Sequence, residues 1–444
     1  MPALSVTNYG DTPGLDSGGR IAQKQQIFNK KHAKNEKLVY TARLAARPST
    51  TMNKNRILLV MLFSAPLMNL GLDLYTPSLP AIAHAFNATH YAVQLSLLAY
   101  IIAFGVVQPF IGPLSDRYGR KVLTRLSVII YIGAALGAAK STSIEMLIAF
   151  RVFQGISATM LAAMVKAIFL DTFKGKELAK ANNYYSIGWS LTPMLAPVLG
   201  GYLQHLFDWE AGFYFIAAYA AIAALCFFLF LPETLSKSND HPRTPWYRAW
   251  GIIFSDKIFM SGIAILVIEF SIVMIYYAYA PFIIQLELHF NPAQYGEILL
   301  AIGLACFVGN AINRFALSFF GLHKIIGFGL IMSFLTAMGM MLLGFIMPLN
   351  IYLITVPVFF LFFFNGIIFS NTMTLCLARY KQFSATAGSL LGGLISLGTA
   401  AITLFVNLIH LHSVGFIGAA YAIIIGAGLV LFLRVFRYGT LEVA

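Results

Sequence analysis

The chain is short of charge. Asp, Glu, Lys and Arg make up 11% of its 444 residues, against about 25% in ordinary soluble domains. A soluble protein of this length could not cover its surface with so few charges. The chain is 59% hydrophobic, with a mean hydropathy of +0.77, so the solvent for most of it is lipid. Cysteine is scarce as well: Cys226, Cys306 and Cys376 lie far apart within apolar runs, which excludes a disulfide framework and a cysteine metal site. There is no GxxxxGK[ST] loop, hence no ATP-hydrolysing engine of that kind. HExxH, clustered acids and a nucleophile–base arrangement are missing too, which argues against a membrane-embedded enzyme. The net charge of +13 gathers in no patch or stripe, so it does not point to a nucleic-acid binder.

What the chain has is apolar runs. A spanning helix needs about 20 mostly apolar residues, and twelve runs qualify: 57–79, 92–113, 122–139, 144–166, 182–205, 211–231, 258–281, 295–316, 325–347, 349–372, 385–409 and 414–434. They are long and do not alternate with period two, which selects helices over a barrel. Lys and Arg set the orientation. Ten precede the first span, and Arg117 to Arg125, Lys174 to Lys180, Lys237 to Lys257, Arg314 and Lys324, Arg379 and Lys381, and Arg434 and Arg437 share its side. The other side receives Lys140, so both termini are expected in the cytoplasm.

The expected organisation is a disordered basic tail over 1–55, a six-helix half over 56–231, a cytoplasmic linker over 232–257, a second six-helix half over 258–434 and a short tail over 435–444. Residues 1–51 lack the apolar run of a signal peptide, and Met52 reads as an alternative start. "VLGG" at 198–201 is echoed by "LLGG" at 390–393, and "YTP" at 75–77 by "YAP" at 279–281. Two related halves place a substrate site between them at the midplane.

The segment "GPLSDRYGRKVLTR", 112–125, joins spans two and three. Gly112 and Gly119 permit close approach and a tight turn. Asp116 is expected to favour the dipole of span three, and Arg117, Arg120 and Lys121 carry topology charge. The order G-x-x-x-D-R-x-G-R-K is richer than topology demands, and it resembles the signature loop of the major facilitator superfamily. "RVFQG" (Arg151, Gln154, Gly155) resembles the family's span-four arginine motif, "LPETL" at 231–235 its span-six end, and "LDLYTPSLP" the first-helix motif of the Bcr/CflA multidrug transporters. "APVLGG" resembles the hinge motif of drug:proton antiporters, keeping Pro197, Gly200 and Gly201 but lacking its upstream glycines. Close packing of small residues is the alternative reading there, and helix packing is the reading of "GAALG" at 133–137.

The resemblance implies an all-α, twelve-helix secondary transporter of the bacterial inner membrane, working by alternating access with the 112–125 loop gating its cytoplasmic side. It implies export of a small, partly lipophilic molecule against protons, with import of a nutrient as the rival. Its partners would be that substrate, protons and membrane lipid, with no nucleic acid, cofactor or metal, and the protein would be a monomer.

Between Arg56 and Arg117 there is no Lys or Arg, yet Asp73 lies inside the first span. A charge deep in a bilayer costs about 2.5–3.5 kcal/mol on insertion scales, so such residues serve a pathway or a pair. Asp73 and Arg151 fall at matching depth, and the balance of burial against a nearby arginine would make protonation switchable; a structural ion pair is the alternative. Glu269 in span seven is either a second proton or cationic-substrate site or a satisfied structural carboxyl. Asp73, Gln154 and Tyr276 are the candidate substrate-cavity residues. Tyr277 is a further lining candidate, Tyr279 reads as interfacial, and Lys166 as snorkelling to the surface. His84, His205, His289, His410 and His412 read as surface residues.

Overall fold

A computed structural model describes residues 54–235, 246–380, 384–409, 411 and 413–436. The tail before Lys54 with Met52, residues 236–245 of the linker with Lys237 and Arg243, Lys381, His410, His412, and Arg437 with the last residues lie outside the described residues.

The first span, α1 (Lys54–Ala85), is helical but interrupted. Its breaks follow its prolines, since each lacks the N–H that an α-helix requires. Pro66 opens the second segment, Leu67–Asp73. Pro77 cannot donate to the Asp73 carbonyl four residues back, and Thr76 Oγ1 takes that bond at 3.0 Å. A 3-10 turn, Thr76–Ser78, therefore follows Asp73, before Leu79–Ala85 completes the span.

The remaining helices are α2 (His90–Tyr118), α3 (Arg120–Ala139), α4 (Ile144–Thr172), α5 (Gly175–Leu206), α6 (Trp209–Phe230), α7 (Lys257–Phe282), α8 (Pro292–Phe319), α9 (Leu322–Ile346), α10 (Ile351–Ala378), α11 (Ser384–Leu408) and α12 (Val414–Phe436). Each expected run is thus a helix. Eleven are long and apolar enough to cross a membrane by length and composition alone. The exception is α5, whose 32 residues begin with the polar "GKELAKANNYYS". Polar caps set many starts: Thr89, Ser143, Asp208, Asn291 and Asn350 each accept a backbone N–H in the first turn of their helix. A surface helix, Trp246–Ser255, precedes α7, and its Trp250 packs edge-on against Phe110 of α2.

Within the first half α2 packs on α4 and α3 on α6; within the second, α9 packs on α12 and α8 on α10. Between halves α5 lies on α8 and α2 on α11. The two Gly-Gly echoes sit in these crossings. A Cβ on Gly201 would lie 2.3 Å from the Pro292 carbonyl oxygen of α8, and one on Gly392 would lie 2.4 Å from Gln108 of α2. Four residues past the second Tyr-x-Pro echo, Gln285 donates to the Pro77 carbonyl of the first at 2.9 Å.

Asp256 starts α7, accepting the amides of Ile258 and Phe259 at 2.9 and 3.2 Å. It also takes Arg379 Nε at 2.8 Å and the Tyr380 hydroxyl at 2.9 Å from the end of α10. Burial opposes its ionisation, but Arg379, the Phe259 amide and Tyr380 outweigh this and hold the carboxyl below its ordinary value. A depressed carboxyl contributes stability that is full above the unfolded value of about 4 and is lost as pH falls through the folded value. The gap in thermal midpoint between wild type and Asp256→Asn is therefore expected to be widest near neutrality and to close in strong acid. A pH-independent gap would show that ionisation of Asp256 contributes nothing.

Candidate functional site

Asp73 ends a helical segment at the junction of the halves and is 3% exposed. Tyr277 of α7 faces it. Its Oδ2 is buried with no partner among the described residues. A carboxylate oxygen enclosed and unbonded is expensive.

Arg151 is fully enclosed on α4. Its Nη1 donates to the Gly71 carbonyl and, at 2.8 Å, to Gln154 Oε1, while Nε reaches the Ser96 carbonyl at 3.5 Å. The guanidinium lies 4.6 Å from the Tyr75 ring centre and 4.5 Å from that of Tyr100. Carbonyls and two π faces replace the counter-ion such a charge ordinarily needs. Among the described ion pairs none joins Arg151 to Asp73. Matching depth brought them to one neighbourhood, but the carboxyl turns to α7 and the guanidinium to the α1 backbone. The Tyr75 hydroxyl meets Ser96 Oγ at 2.6 Å, and Tyr100 and Tyr131 donate to the Met68 and Leu67 carbonyls, both at 2.6 Å. These tyrosines fix the segment that carries Asp73, and only their residue type was visible beforehand.

Glu269 is also enclosed. Asn365 Nδ2 of α10 donates to its Oε2 at 3.0 Å and to its backbone carbonyl at 2.9 Å, and its Oε1 has no partner among the described residues. Gln154 and Tyr276, expected in the substrate cavity, are buried in this structure, and Tyr276 stacks edge-on against Phe362. Tyr279, expected in the interfacial belt, is 9% exposed and donates to the Val406 carbonyl at 3.2 Å. Lys166, His84, His205 and His289 are exposed. Gly137 packs under Phe150, whereas Gly133 faces open space.

At the 112–125 segment Asp116 closes α2 rather than opening α3, and pairs with Arg120 at 2.9 Å. Buried Arg120 also bonds Ser115 and reaches Asp171 of α4 at 3.0 Å. The carboxylate on the α3 N-terminus is Glu233, which accepts the Arg120 and Lys121 amides at 3.0 and 3.2 Å. Gly119 sits at φ 90°, a conformation suited to glycine, with Glu233 against it. Arg117 lies over the Tyr118 ring, and Gly112 faces open space. Glu233 was quoted in "LPETL", but its role arises only when α6 ends beside α3. Removing a side-chain cap costs about 0.5–2 kcal/mol, so Glu233→Ala is expected to lower the thermal midpoint measurably, and an unchanged midpoint would deny the cap its weight.

The cross-half hydrogen bonds gather at the end expected to be outer. Gln94 donates to Ala278 at 2.9 Å, Gln285 to Pro77 at 2.9 Å and Tyr202 to Glu297 at 2.7 Å, and Tyr277 faces Asp73 deeper in. At the other end the Arg120 and Glu233 clusters stay within the first half. Pro197, Gly200 and Gly201 form a three-helix crossing: Gly200 lies under the Leu74 carbonyl of α1, Gly201 under Pro292, and Gly296 of α8 under the Pro197 carbonyl.

Residues 61–403 match the family model described as Major Facilitator Superfamily. The chain is 25% identical over 355 residues to Multidrug resistance protein D of Escherichia coli, covering 79% of this chain and 88% of that one. It is 27% identical over 359 residues to the Bicyclomycin resistance protein homolog of Haemophilus influenzae, covering 77% and 87%. The crystal structure of a D-xylose-proton symporter superposes with a TM-score of 0.69 at 12% identity, covering 85% of this chain and 97% of that one; that likeness concerns the fold.

Proposed function

The chain belongs to the major facilitator superfamily, and from that premise we propose that it exports a small, partly lipophilic molecule across a bacterial inner membrane in exchange for protons. The observation that carries the reading is Asp73, a buried carboxyl with an unpartnered oxygen where the halves meet. The names of the relatives, a multidrug and a bicyclomycin resistance protein, support export over import.

In this reading the structure is a state latched on its outer side. Asp73 holds a proton against Tyr277. Arg151, held by Gly71, Gln154 and two aromatic faces, keeps the broken α1 in register and supplies a fixed positive potential. Loss of the Asp73 proton leaves an anion that enclosure disfavours, and opening of α1 from α7 relieves it. The halves rock about the α5–α8 and α2–α11 crossings, and the Asp116–Arg120–Asp171 cluster stiffens the opposite end of the first half. Both termini lie in the cytoplasm.

Everted vesicles with an acid interior test this with a panel of lipophilic compounds, with and without the protein. Protein-dependent uptake that collapses with a protonophore is expected. Uptake only in right-side-out vesicles under the corresponding gradient would make the protein an importer.

A further inference from the structure

Glu269 lies outside the mechanism above, yet it is the one charged side chain of α7 between Lys257 and Glu287. Among the helices packed on it, α10 and α11 carry no charged residue and α12 carries only Arg434, near its end. On α8 the charged residues are Glu297 and Arg314, each far along the helix from Cys306. The titratable group that faces Glu269 is the Cys306 thiol. Among the described residues no ion pair compensates an anion here.

The environment of Glu269 has a direction. Beyond Asn365, polar side chains continue between α8 and α10, which run parallel. Asn310 Nδ2 donates to the Cys306 carbonyl at 3.1 Å, and Ser370 Oγ donates to Asn310 Oδ1. Three residues on along α8, Asn313 exchanges reciprocal amide bonds with Asn371, the residue after Ser370, at 3.2 and 2.8 Å. Thr374 follows, donating to the Ser370 carbonyl at 2.8 Å. Asn310 and Ser370 are half-buried, while Thr374 and Arg314 are exposed. The series thus runs from an enclosed carboxyl to an accessible end, within apolar helices where each polar residue is costly. Amides and hydroxyls both donate and accept, which suits them to lining a file of water. The backbones approach closely beside it: a Cβ on Gly366 would lie 2.5 Å from the Cys306 carbonyl oxygen.

We propose that Glu269 is a second proton-binding site, loaded from the side expected to be inner through this seam between α8 and α10. The neutral acid releases its proton to water at the Thr374 end, leaving the carboxylate bonded to Asn365, and takes a proton back by the same route. The placement rests on the transporter reading only for what the proton is coupled to. The binding itself is independent of transport.

The test is infrared difference spectroscopy of the full-length protein in detergent, titrated with acid and exchanged into heavy water. A protonated-carboxyl band that disappears in Glu269→Gln and persists in Asp73→Asn is expected. Replacing both members of the amide pair leaves no orphan polar group, so Asn313→Leu/Asn371→Leu is expected to fold. In that variant the Glu269 band should remain while its hydrogen–deuterium exchange slows by roughly tenfold or more, equivalent to about 1.4 kcal/mol of barrier. Ser370→Val provides a second block with the same expectation. A band unchanged in Glu269→Gln would overturn the site. Unaltered exchange in both seam variants would overturn the path. Loss of vesicle uptake with the band and its exchange intact would strike the export reading and leave this one standing.

Discussion

Asp73→Asn is expected to abolish uphill export while sparing folding and downhill exchange. The amide keeps the shape of the side chain and can still meet the Tyr277 hydroxyl, but it cannot release a proton. A charge crossing 100 mV is worth about 2.3 kcal/mol, enough to sustain a concentration ratio of roughly 50. The variant should sustain none. Vesicles preloaded with substrate should still exchange it for labelled substrate, since that needs no net proton movement. Normal accumulation by Asp73→Asn would move coupling elsewhere, and loss of both activities together with a lowered thermal midpoint would make the residue structural.

The second large effect concerns the α5–α8 crossing. A Cβ on Gly201 or Gly296 would meet a backbone oxygen of the opposite helix at a distance no side chain tolerates: 2.3 Å to Pro292 and 2.6 Å to Pro197. Backbone cannot swing aside as a flexible side chain can, so Gly201→Val and Gly296→Val must part the helices. Overpacking costs roughly 1–3 kcal/mol, enough to shift a two-state population by about 5- to 150-fold. Because the contact lies on the latched side, both variants should favour opening there. Spin labels at exposed Phe207 and Leu286 should report longer distances than in wild type, and transport should fall by a similar factor. Unchanged distances in both variants would mean that these glycines only pack a static core.

The fold was legible because a bilayer imposes a length and a composition that few charged residues can disguise. The ends of α5 were harder. The helix begins at Gly175 rather than near 182, since a helix projecting beyond lipid has no need of apolar residues. The breaks in α1 could be anticipated from Pro66, Pro77 and Pro80, but not the substitution of Thr76 for a missing amide. Asp73, Arg151 and Glu269 stood out as charges in apolar runs. Their partners did not, because Tyr277, Gly71 and Asn365 are common residues whose meaning comes from tertiary placement. Depth in the membrane suggested a link between Asp73 and Arg151, and side-chain direction, which depth cannot supply, separated them. Glu233 shows the same limit: a motif residue of one helix end became the cap of another.

Proton release reports on the coupling carboxyl most directly. Purified protein in weakly buffered detergent with a pH dye, given saturating substrate, is expected to release protons in wild type and in Glu269→Gln, and to release none in Asp73→Asn. Release undiminished in Asp73→Asn, or abolished in Glu269→Gln alone, would contradict the assignment of coupling to the first span.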